Sequence, residues 1–405
     1  MNRTPNRSRL AAVAAISGLV LGLTAQAASA SPAEGWRLEQ PLDSAVNRIY
    51  SDVAATSADN AWAVGYQAGQ DNQPELAIEH YDGKAWADVP PAPVPGPARL
   101  DLVSAAAPND VWAAGSAGEV AAADVREHRA VPSAAAGADV VQHWDGTAWK
   151  SVERPTPAPG WQSFVGGLAS FGGNSVWLSG MDYQVSTGAT EPWLERWDGK
   201  AWQKVTLPLA PGGKAPQPGT IIGTGPDDIT VSANVTDESG KSAPLLYHWD
   251  GRVWTVQAVP VPSDYPTGWI AGRIAADPKG GVYAVGRPNE WNAPPIAGFV
   301  AHWDGKQWTS VPAAPFPEVN AATVDNDGRL WTAGWQSGDP HCRFAVWTGQ
   351  EWQQEPLPAE GTSHAEQSSV LAIKPVPGTK KLLAAGLFSS NNLNNTWGLL
   401  VSRGQ

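Results

Sequence analysis

The sequence predicts an all-β fold, a seven-bladed β-propeller of four-stranded antiparallel blades closed by an N-terminal strand that completes the last blade. Three observations predict it: a strand pattern that recurs seven times, an Asp-Gly turn in most repeats, and an isolated outer-strand pattern near the N-terminus. The composition agrees, because 42 Gly, 36 Pro and 22 Trp in 405 residues are typical of many short strands joined by turns.

The recurring strand has the form Val-Trp-Ala-Val-Gly. Its β-branched and aromatic residues favour a strand, and its glycine marks the point where the strand ends. A repeat length of about 50 residues is typical of one propeller blade. The seven copies occupy residues 61–65, 111–115, 176–180, 229–232, 282–286, 330–334 and 382–386.

A hairpin signal follows five of these copies as Asp-Gly and a sixth as Thr348-Gly349. Asp-Gly favours a tight turn in which both central residues have positive φ. A tryptophan stands three residues after each of these glycines, and we expect these rings to be structural, packed between neighbouring blades. They are Trp86, Trp149, Trp202, Trp254, Trp308 and Trp352.

Six hairpins serve seven repeats, and the missing outer strand stands at the other end of the chain. Residues 35–40, with Trp36, match the outer-strand pattern. Pairing of this segment with the seventh repeat would close the ring and remove the exposed edges of an open array. We expect blades at approximately 47–90, 99–154, 161–206, 219–258, 269–312, 318–357, and 367–401 together with 35–40.

Residues 1–30 have the parts of a secretory signal peptide. A basic stretch precedes an apolar run at 10–23, and Ala28-Ser29-Ala30 offers a cleavage site. We therefore expect residues 31–405 to be secreted as a single propeller domain. The apolar run is short and interrupted, and no later segment could cross a bilayer, so no membrane span is expected.

Charge and cysteine content exclude some classes of protein. Acidic residues outnumber Lys and Arg by 39 to 27, which opposes nucleic-acid binding because that binding depends on cationic contacts to phosphate. The single Cys342 cannot form an intramolecular disulfide. We expect a monomer whose stability comes from its core.

With these motifs, the chain resembles bacterial secreted propellers related to kelch repeats and to the central propeller of galactose oxidase. The resemblance covers nearly all of the chain after residue 30, as repeat architecture, and implies a propeller fold. A single glycine, such as Gly65 or Gly115, stands where kelch blades carry a Gly-Gly doublet. Galactose oxidase uses copper held by Tyr and His, but here four histidines precede equivalent turns on different blades and cannot converge. No metal or other cofactor is therefore predicted at His80, His143, His248 or His302.

The connections between strands fall into two sets on opposite faces of the disc. The short-loop face carries the connections at 57–61, 107–110 and 277–281 and the Asp-Gly turns. The long-loop face carries the connections at 67–75, 116–139, 181–190, 287–295, 336–339 and 389–395. Irregular loops on a rigid scaffold are where binding usually occurs, so a ligand is expected on the long-loop face. The expected ligand-binding residues are Tyr66, Tyr183, Arg287, Trp291 and Trp335.

The sequence thus predicts a secreted, non-catalytic binding scaffold for an extracellular glycan, wall component or protein. No Gly-x-Ser-x-Gly or phosphate-binding glycine loop occurs, and no catalytic residue is assigned. One alternative is a polysaccharide-acting hydrolase or lyase with a carboxylate pair at the propeller mouth, since such pairs leave no sequence spacing. A second alternative is a structural or adhesive surface protein. Carboxylates available for the first alternative are Asp71, Glu75, Asp182, Glu191 and Glu290.

Overall fold

Seven four-stranded antiparallel sheets make up the chain in a computed structural model, which confirms the predicted all-β, seven-bladed propeller. The predicted signal peptide lies outside the described residues. Within those residues, no helix is long and apolar enough to cross a membrane. The structure describes residues 35–42, 47–69, 73–118, 139–155, 157–172, 175–263, 268–288, 298–335, 339–358, 366–390 and 395–404.

The first three blades follow a short N-terminal strand, β1 (Arg37–Leu38). Blade 1 comprises β2 (Arg48–Ser57), β3 (Asn60–Ala68), β4 (Pro74–Tyr81) and β5 (Trp86–Asp88). Blade 2 comprises β6 (Ala98–Ala107), β7 (Asp110–Ala117), β8 (Asp139–Trp144) and β9 (Trp149–Ser151). Blade 3 comprises β10 (Trp161–Ser170), β11 (Val176–Gln184), β12 (Thr190–Trp197) and β13 (Trp202–Lys204).

The remaining blades repeat the same order of strands. Blade 4 comprises β14 (Gln217–Gly225), β15 (Asp228–Thr236), β16 (Ser242–Trp249) and β17 (Trp254–Ala258). Blade 5 comprises β18 (Trp269–Asp277), β19 (Gly281–Pro288), β20 (Phe299–Trp303) and β21 (Trp308–Val311). Blade 6 comprises β22 (Glu318–Val324), β23 (Leu330–Trp335), β24 (Arg343–Trp347) and β25 (Trp352–Pro356). Blade 7 comprises β26 (Gln367–Pro375), β27 (Leu382–Ser389) and β28 (Thr396–Arg403), with β1 as its fourth strand.

The ring closes between the two ends of the chain, as the sequence predicts. Strand β1 pairs antiparallel with β28, placing Arg37 opposite Ser402 and Leu38 opposite Val401. The first strand of each blade also contacts the first strands of both neighbouring blades, and β26 contacts β2. These seven innermost strands therefore surround a central channel.

The core lies between the blades rather than within one of them. One apolar cluster joins Trp62 and Ile78 of blade 1 to Leu100 and Trp149 of blade 2. The rings of Trp62 and Trp149 meet edge to face, with centroids 5.4 Å apart at an interplanar angle of 87°. Such contacts explain why the repeat needs a large ring on both its second and its outer strand.

A β-bulge in every first strand lies opposite the interior of the second strand, at the position where the recurring Val-Trp-Ala-Val-Gly pattern ends. In blade 1 the pairing skips Ser51, between Tyr50 opposite Gly65 and Asp52 opposite Val64. A Cβ at Gly65 would overlap the carbonyl oxygen of Ile49. The glycine is therefore required by this close backbone approach. The prediction that it marks the end of the strand is wrong, because β3 continues to Ala68.

The Asp-Gly pairs form tight hairpin turns, as predicted, but Asp82 is the first residue of its turn rather than a central one. Tyr81 pairs with Trp86, and the backbone N–H of Asp82 donates to the carbonyl of Ala85, which leaves Gly83 and Lys84 at the centre. Gly83 has φ of 90°, in the region that favours glycine. The Asp82 carboxylate accepts hydrogen bonds from the backbone N–H groups of Lys84 and Ala85, at 2.9 and 3.0 Å. These hydrogen bonds satisfy the polar groups of the turn within the turn itself.

Candidate functional site

The second strand of every blade ends on the long-loop face, which brings four of the five predicted binding residues to that face. Trp335 is the last residue of β23, and Tyr66, Tyr183 and Arg287 lie within the last three residues of β3, β11 and β19. All four side chains are half-buried. The fifth, Trp291, lies outside the described residues.

Arg287 and Trp335 lie in the same sector of this face. Nε of Arg287 on blade 5 is 4.0 Å from Oε1 of Glu318 on blade 6. Glu318 in turn stands directly opposite Trp335 across β22 and β23. The indole Nε1 of Trp335 donates a 2.8 Å hydrogen bond to the carbonyl of Ser368 on blade 7. Arg287 and Trp335 thus belong to one polar and aromatic surface over blades 5 to 7.

Tyr66 and Tyr183 lie elsewhere on the ring. Tyr66 stands opposite Ile49 and Leu76 in blade 1. Tyr183 stands opposite Gln162 and Thr190 in blade 3. Because blade 2 separates these two blades, the predicted residues form separate contacts around the face rather than a single pocket.

A groove of about 200 Å³ opens between blades 6 and 7 on the long-loop face. Its lining includes Asp339, His341 and Arg343, which follow the loop at 336–339. Asp339 accepts hydrogen bonds from the backbone N–H of His341 at 2.9 Å and from Nε of Arg343 at 3.0 Å, and these bonds lower the pKa of its carboxyl. The groove adjoins Trp335, because Trp335 and the groove residue Cys342 both hydrogen-bond to Ser368.

The residues of the groove between blades 6 and 7 are not among the binding residues predicted from the sequence. Asp339 ends the connection at 336–339, which is predicted on the long-loop face, and His341 and Arg343 follow it. That position is the signal that the sequence offers for them. No spacing motif distinguishes them from other polar residues after loops.

A second groove, of about 150 Å³, lies beside the proline-rich linker between blades 3 and 4. Pro192, Trp193, Leu209 and Pro216 contribute to its lining. Leu209 is 62% exposed, an unusual exposure for a large apolar side chain. This groove offers an apolar surface at the rim of the long-loop face.

Carboxylates and one arginine form a buried cluster where blades 2 and 3 meet. Nε of Arg154 donates to Glu195 at 2.8 Å, and its Nη1 pairs with Asp139. The Ser163 hydroxyl lies 2.9 Å from Oδ2 of Asp139 and 2.7 Å from Oδ1 of Asp182. Burial raises the pKa of the Asp139 carboxyl to about 6, although Arg154 acts in the opposite direction. Side-chain exposures of 5% for Arg154 and 1% for Asp139 indicate a structural cluster that a substrate does not reach.

Of the five carboxylates proposed for a catalytic pair, Asp182 and Glu191 stand opposite each other across β11 and β12. Asp182 also accepts a 2.8 Å hydrogen bond from the indole of Trp193. Glu191 and Glu75 are exposed, on blades 3 and 1 respectively. The other two, Asp71 and Glu290, lie outside the described residues.

The four repeat histidines are engaged within their own blades. His143 lies 2.8 Å from Oδ1 of Asp110 and stacks on Trp112, with ring centroids 4.5 Å apart. Nε2 of His302 likewise lies 3.0 Å from Oδ2 of Asp277. Among the described residues, no group of three or more His, Cys, Asp or Glu side chains is arranged to hold a metal ion.

No family model and no curated protein matches the chain. Solved structures do match. A protein of unknown function from Dyadobacter fermentans is 12% identical with a TM-score of 0.53, covering 92% of this chain and 100% of that one. A PL25 ulvan lyase is 11% identical with a TM-score of 0.50, covering 87% and 93% of the two chains. The BP39L lectin from Burkholderia pseudomallei is 15% identical with a TM-score of 0.49, covering 86% and 94%.

These similarities concern the fold alone, because the identities are low. The two matches with TM-scores of 0.53 and 0.50 agree with the observed fold. The comparisons do not support the resemblance to kelch repeats and galactose oxidase. Evidence for a ligand of the long-loop face therefore comes from the residues of that face.

Proposed function

We propose that this chain is an exported, non-catalytic binding module that recognises an extracellular carbohydrate through its long-loop face. One observation carries the proposal: the second strands end on a single face and place half-buried aromatic rings there, together with the Arg287 and Glu318 pair. Aromatic rings provide flat apolar surface for sugar rings, and a few fixed polar groups can orient the hydroxyls.

The difference between the two faces supports this proposal. The short-loop face is built from tight turns whose polar groups are satisfied locally, as at Asp82. The long-loop face carries both grooves, with charged side chains in one and apolar side chains in the other. A cell-wall carbohydrate would be recognised through the same sugar chemistry. Binding of a protein instead of a carbohydrate is the competing outcome.

Binding is tested by screening the purified chain against glycans, wall fragments and secreted proteins, followed by titration calorimetry of each hit. We expect Trp335→Ala and Arg287→Ala to weaken carbohydrate binding at least tenfold, as expected when a central interface contact is removed. Lys306→Ala and Arg252→Ala are controls, because both side chains are exposed on turns of the short-loop face.

Three results would refute the proposal. Equal losses of carbohydrate binding in both pairs of variants would exclude the long-loop face as the binding site. New reducing ends or unsaturated products from an added polysaccharide would indicate an enzyme, with Asp182 and Glu191 as the first residues to replace. Self-association or wall attachment without saturable ligand binding would indicate a structural role.

Export is tested separately by recovering the protein from the culture medium of an expressing bacterium and sequencing its N-terminus. A mature chain that begins at Ser31 supports cleavage after Ala28-Ser29-Ala30. Retention of the full-length chain inside the cell would contradict it.

A further inference from the structure

Arg273 occupies an unusual position on the innermost strand of blade 5. It is the fifth of the nine residues of β18, and its side chain is solvent-exposed although it lies about midway between the two faces. Its charge interacts with Asp52 on blade 1 and with Glu318 on blade 6. Because Nε of Arg273 also bonds the carbonyl of Asn320 on the innermost strand of blade 6, and blade 1 lies across the central channel from blade 5, the guanidinium lies in that channel.

Two backbone carbonyls fix the orientation of this guanidinium. Nε donates to the carbonyl of Asn320 at 2.8 Å, and Nη1 donates to the carbonyl of Gly272 at 2.9 Å. Neutral carbonyls orient the group without cancelling its charge. Within the described ranges, no carboxylate lies within ion-pair distance of Arg273.

The two nearest carboxylates already have partners. Asp52 accepts hydrogen bonds from the backbone N–H groups of Val53 and Val103, at 2.9 and 3.0 Å, and lies 3.7 Å from Nζ of Lys374. Glu318 pairs with Arg287 at the mouth of the channel. Loss of hydration lowers the pKa of Arg273, while both carboxylates act weakly in the opposite direction. Among the described residues, the guanidinium of Arg273 is therefore a cation on the channel wall with no carboxylate close enough to form an ion pair.

Space for a ligand exists beside Arg273. The extra residue in the first-strand bulge is Gly166 in blade 3 and Gly272 in blade 5, and Gly219 lies in the bulge of blade 4. A Cβ at Gly166 or Gly272 would meet no atom closer than 3.6 or 3.9 Å. The extra bulge residues of blades 3 and 5 therefore present no side chain, and open space adjoins each of them.

We infer that the central channel binds a small carboxylate-bearing molecule against the guanidinium of Arg273, in the space next to Gly166 and Gly272. A carboxylate suits the site because its two oxygens match the planar fork of N–H donors of an arginine. This site is separate from the carbohydrate-binding face proposed above, and either can exist without the other.

Titration calorimetry of the purified chain with D-glucuronate tests this inference, with glucose and inorganic phosphate as parallel probes at constant ionic strength. We expect one saturable site for glucuronate, none for glucose, and weaker binding of phosphate. Arg273→Gln should weaken glucuronate binding at least tenfold, Arg273→Lys should retain part of it, and Arg252→Gln on the outer surface should leave it unchanged.

A second measurement does not depend on any variant. Saturating glucuronate should raise the melting temperature of the unmodified chain by several degrees, and glucose should not, because a ligand that binds only the folded state stabilises it. Absence of saturable glucuronate binding, equal binding by Arg273→Gln, or phosphate binding as tight as that of glucuronate would each overturn the inference. Trp335→Ala should leave glucuronate binding intact, which separates this test from that of the carbohydrate-binding face.

Discussion

The indole rings of Trp36 and Trp331 meet edge to face, with centroids 5.9 Å apart and an interplanar angle of 81°. The same contact joins Trp62 to Trp149, from the second strand of one blade to the outer strand of the next. Trp36 therefore fills in blade 7 the position that Trp149 fills in blade 2, although it comes from the opposite end of the chain.

Replacing Trp36 should destabilise the whole ring. The side chain is 7% exposed and stacks on Phe344, with centroids 3.7 Å apart. We expect Trp36→Ala to lower the free energy of unfolding by about 3–5 kcal/mol, the usual cost of truncating a buried tryptophan. Urea unfolding monitored by fluorescence measures this, with the half-buried outer-strand Trp352→Ala as a control that should lose less. An unchanged unfolding midpoint would contradict closure by the N-terminal strand.

Adding a methyl group to Gly65, inside the second strand of blade 1, should push the first and second strands apart. A Cβ at Gly65 would overlap the Ile49 carbonyl, so we expect Gly65→Ala to cost about 1–3 kcal/mol, as overpacking does. Gly225→Ala is the matched control, because a Cβ there meets nothing within 4 Å. Thermal unfolding measures the difference in melting temperature between the two variants. Equal melting temperatures would contradict the close backbone approach at Gly65.

The buried carboxyl of Asp139 should make stability depend on pH. Burial raises its pKa from 3.8 to about 6 in the folded chain. The folded state then holds this proton more tightly than the unfolded state, so the contribution of Asp139 to stability falls as the pH rises from about 4 to 6. At 1.36 kcal/mol per pKa unit, the loss is roughly 2–3 kcal/mol.

Asp139→Asn removes this titration and tests the sign. We expect the variant to match the original chain near pH 4 and to exceed its stability at neutral pH, measured by urea unfolding across that range. Asp59→Asn, at an exposed turn, should change the profile little. A variant that is less stable by a constant amount at every pH would show that Asp139 is ionised throughout.

The single thiol should be inert in the folded protein. Cys342 is fully buried, and burial raises its pKa to about 12, so little reactive thiolate forms at neutral pH. We expect no alkylation by iodoacetamide in native buffer and complete alkylation in denaturing guanidinium, both followed by mass spectrometry. Rapid modification of the native chain would indicate that the packing of Cys342 between blades 6 and 7 opens transiently.

The number of blades, the hairpin turns and the closing strand could all be predicted from the sequence. Asp82-Gly83 specifies its turn through the local chemistry of two residues, and alternating apolar positions specify each strand. Closure followed from six hairpins in seven repeats, which leaves Trp36 as the only outer-strand pattern without a hairpin of its own. These features are encoded within a repeat, so one chain carries several copies of the same signal.

The contacts between blades were decided only by the tertiary structure. Arg154 meets Asp139 and Glu195, and Arg273 reaches the channel where Asp52 lies, yet no spacing in the sequence predicts either arrangement. Each contact depends on the angle between neighbouring sheets and on which blades lie across the channel from each other. Residues far apart in the chain meet because the ring closes, and their sequence positions alone do not define that geometry.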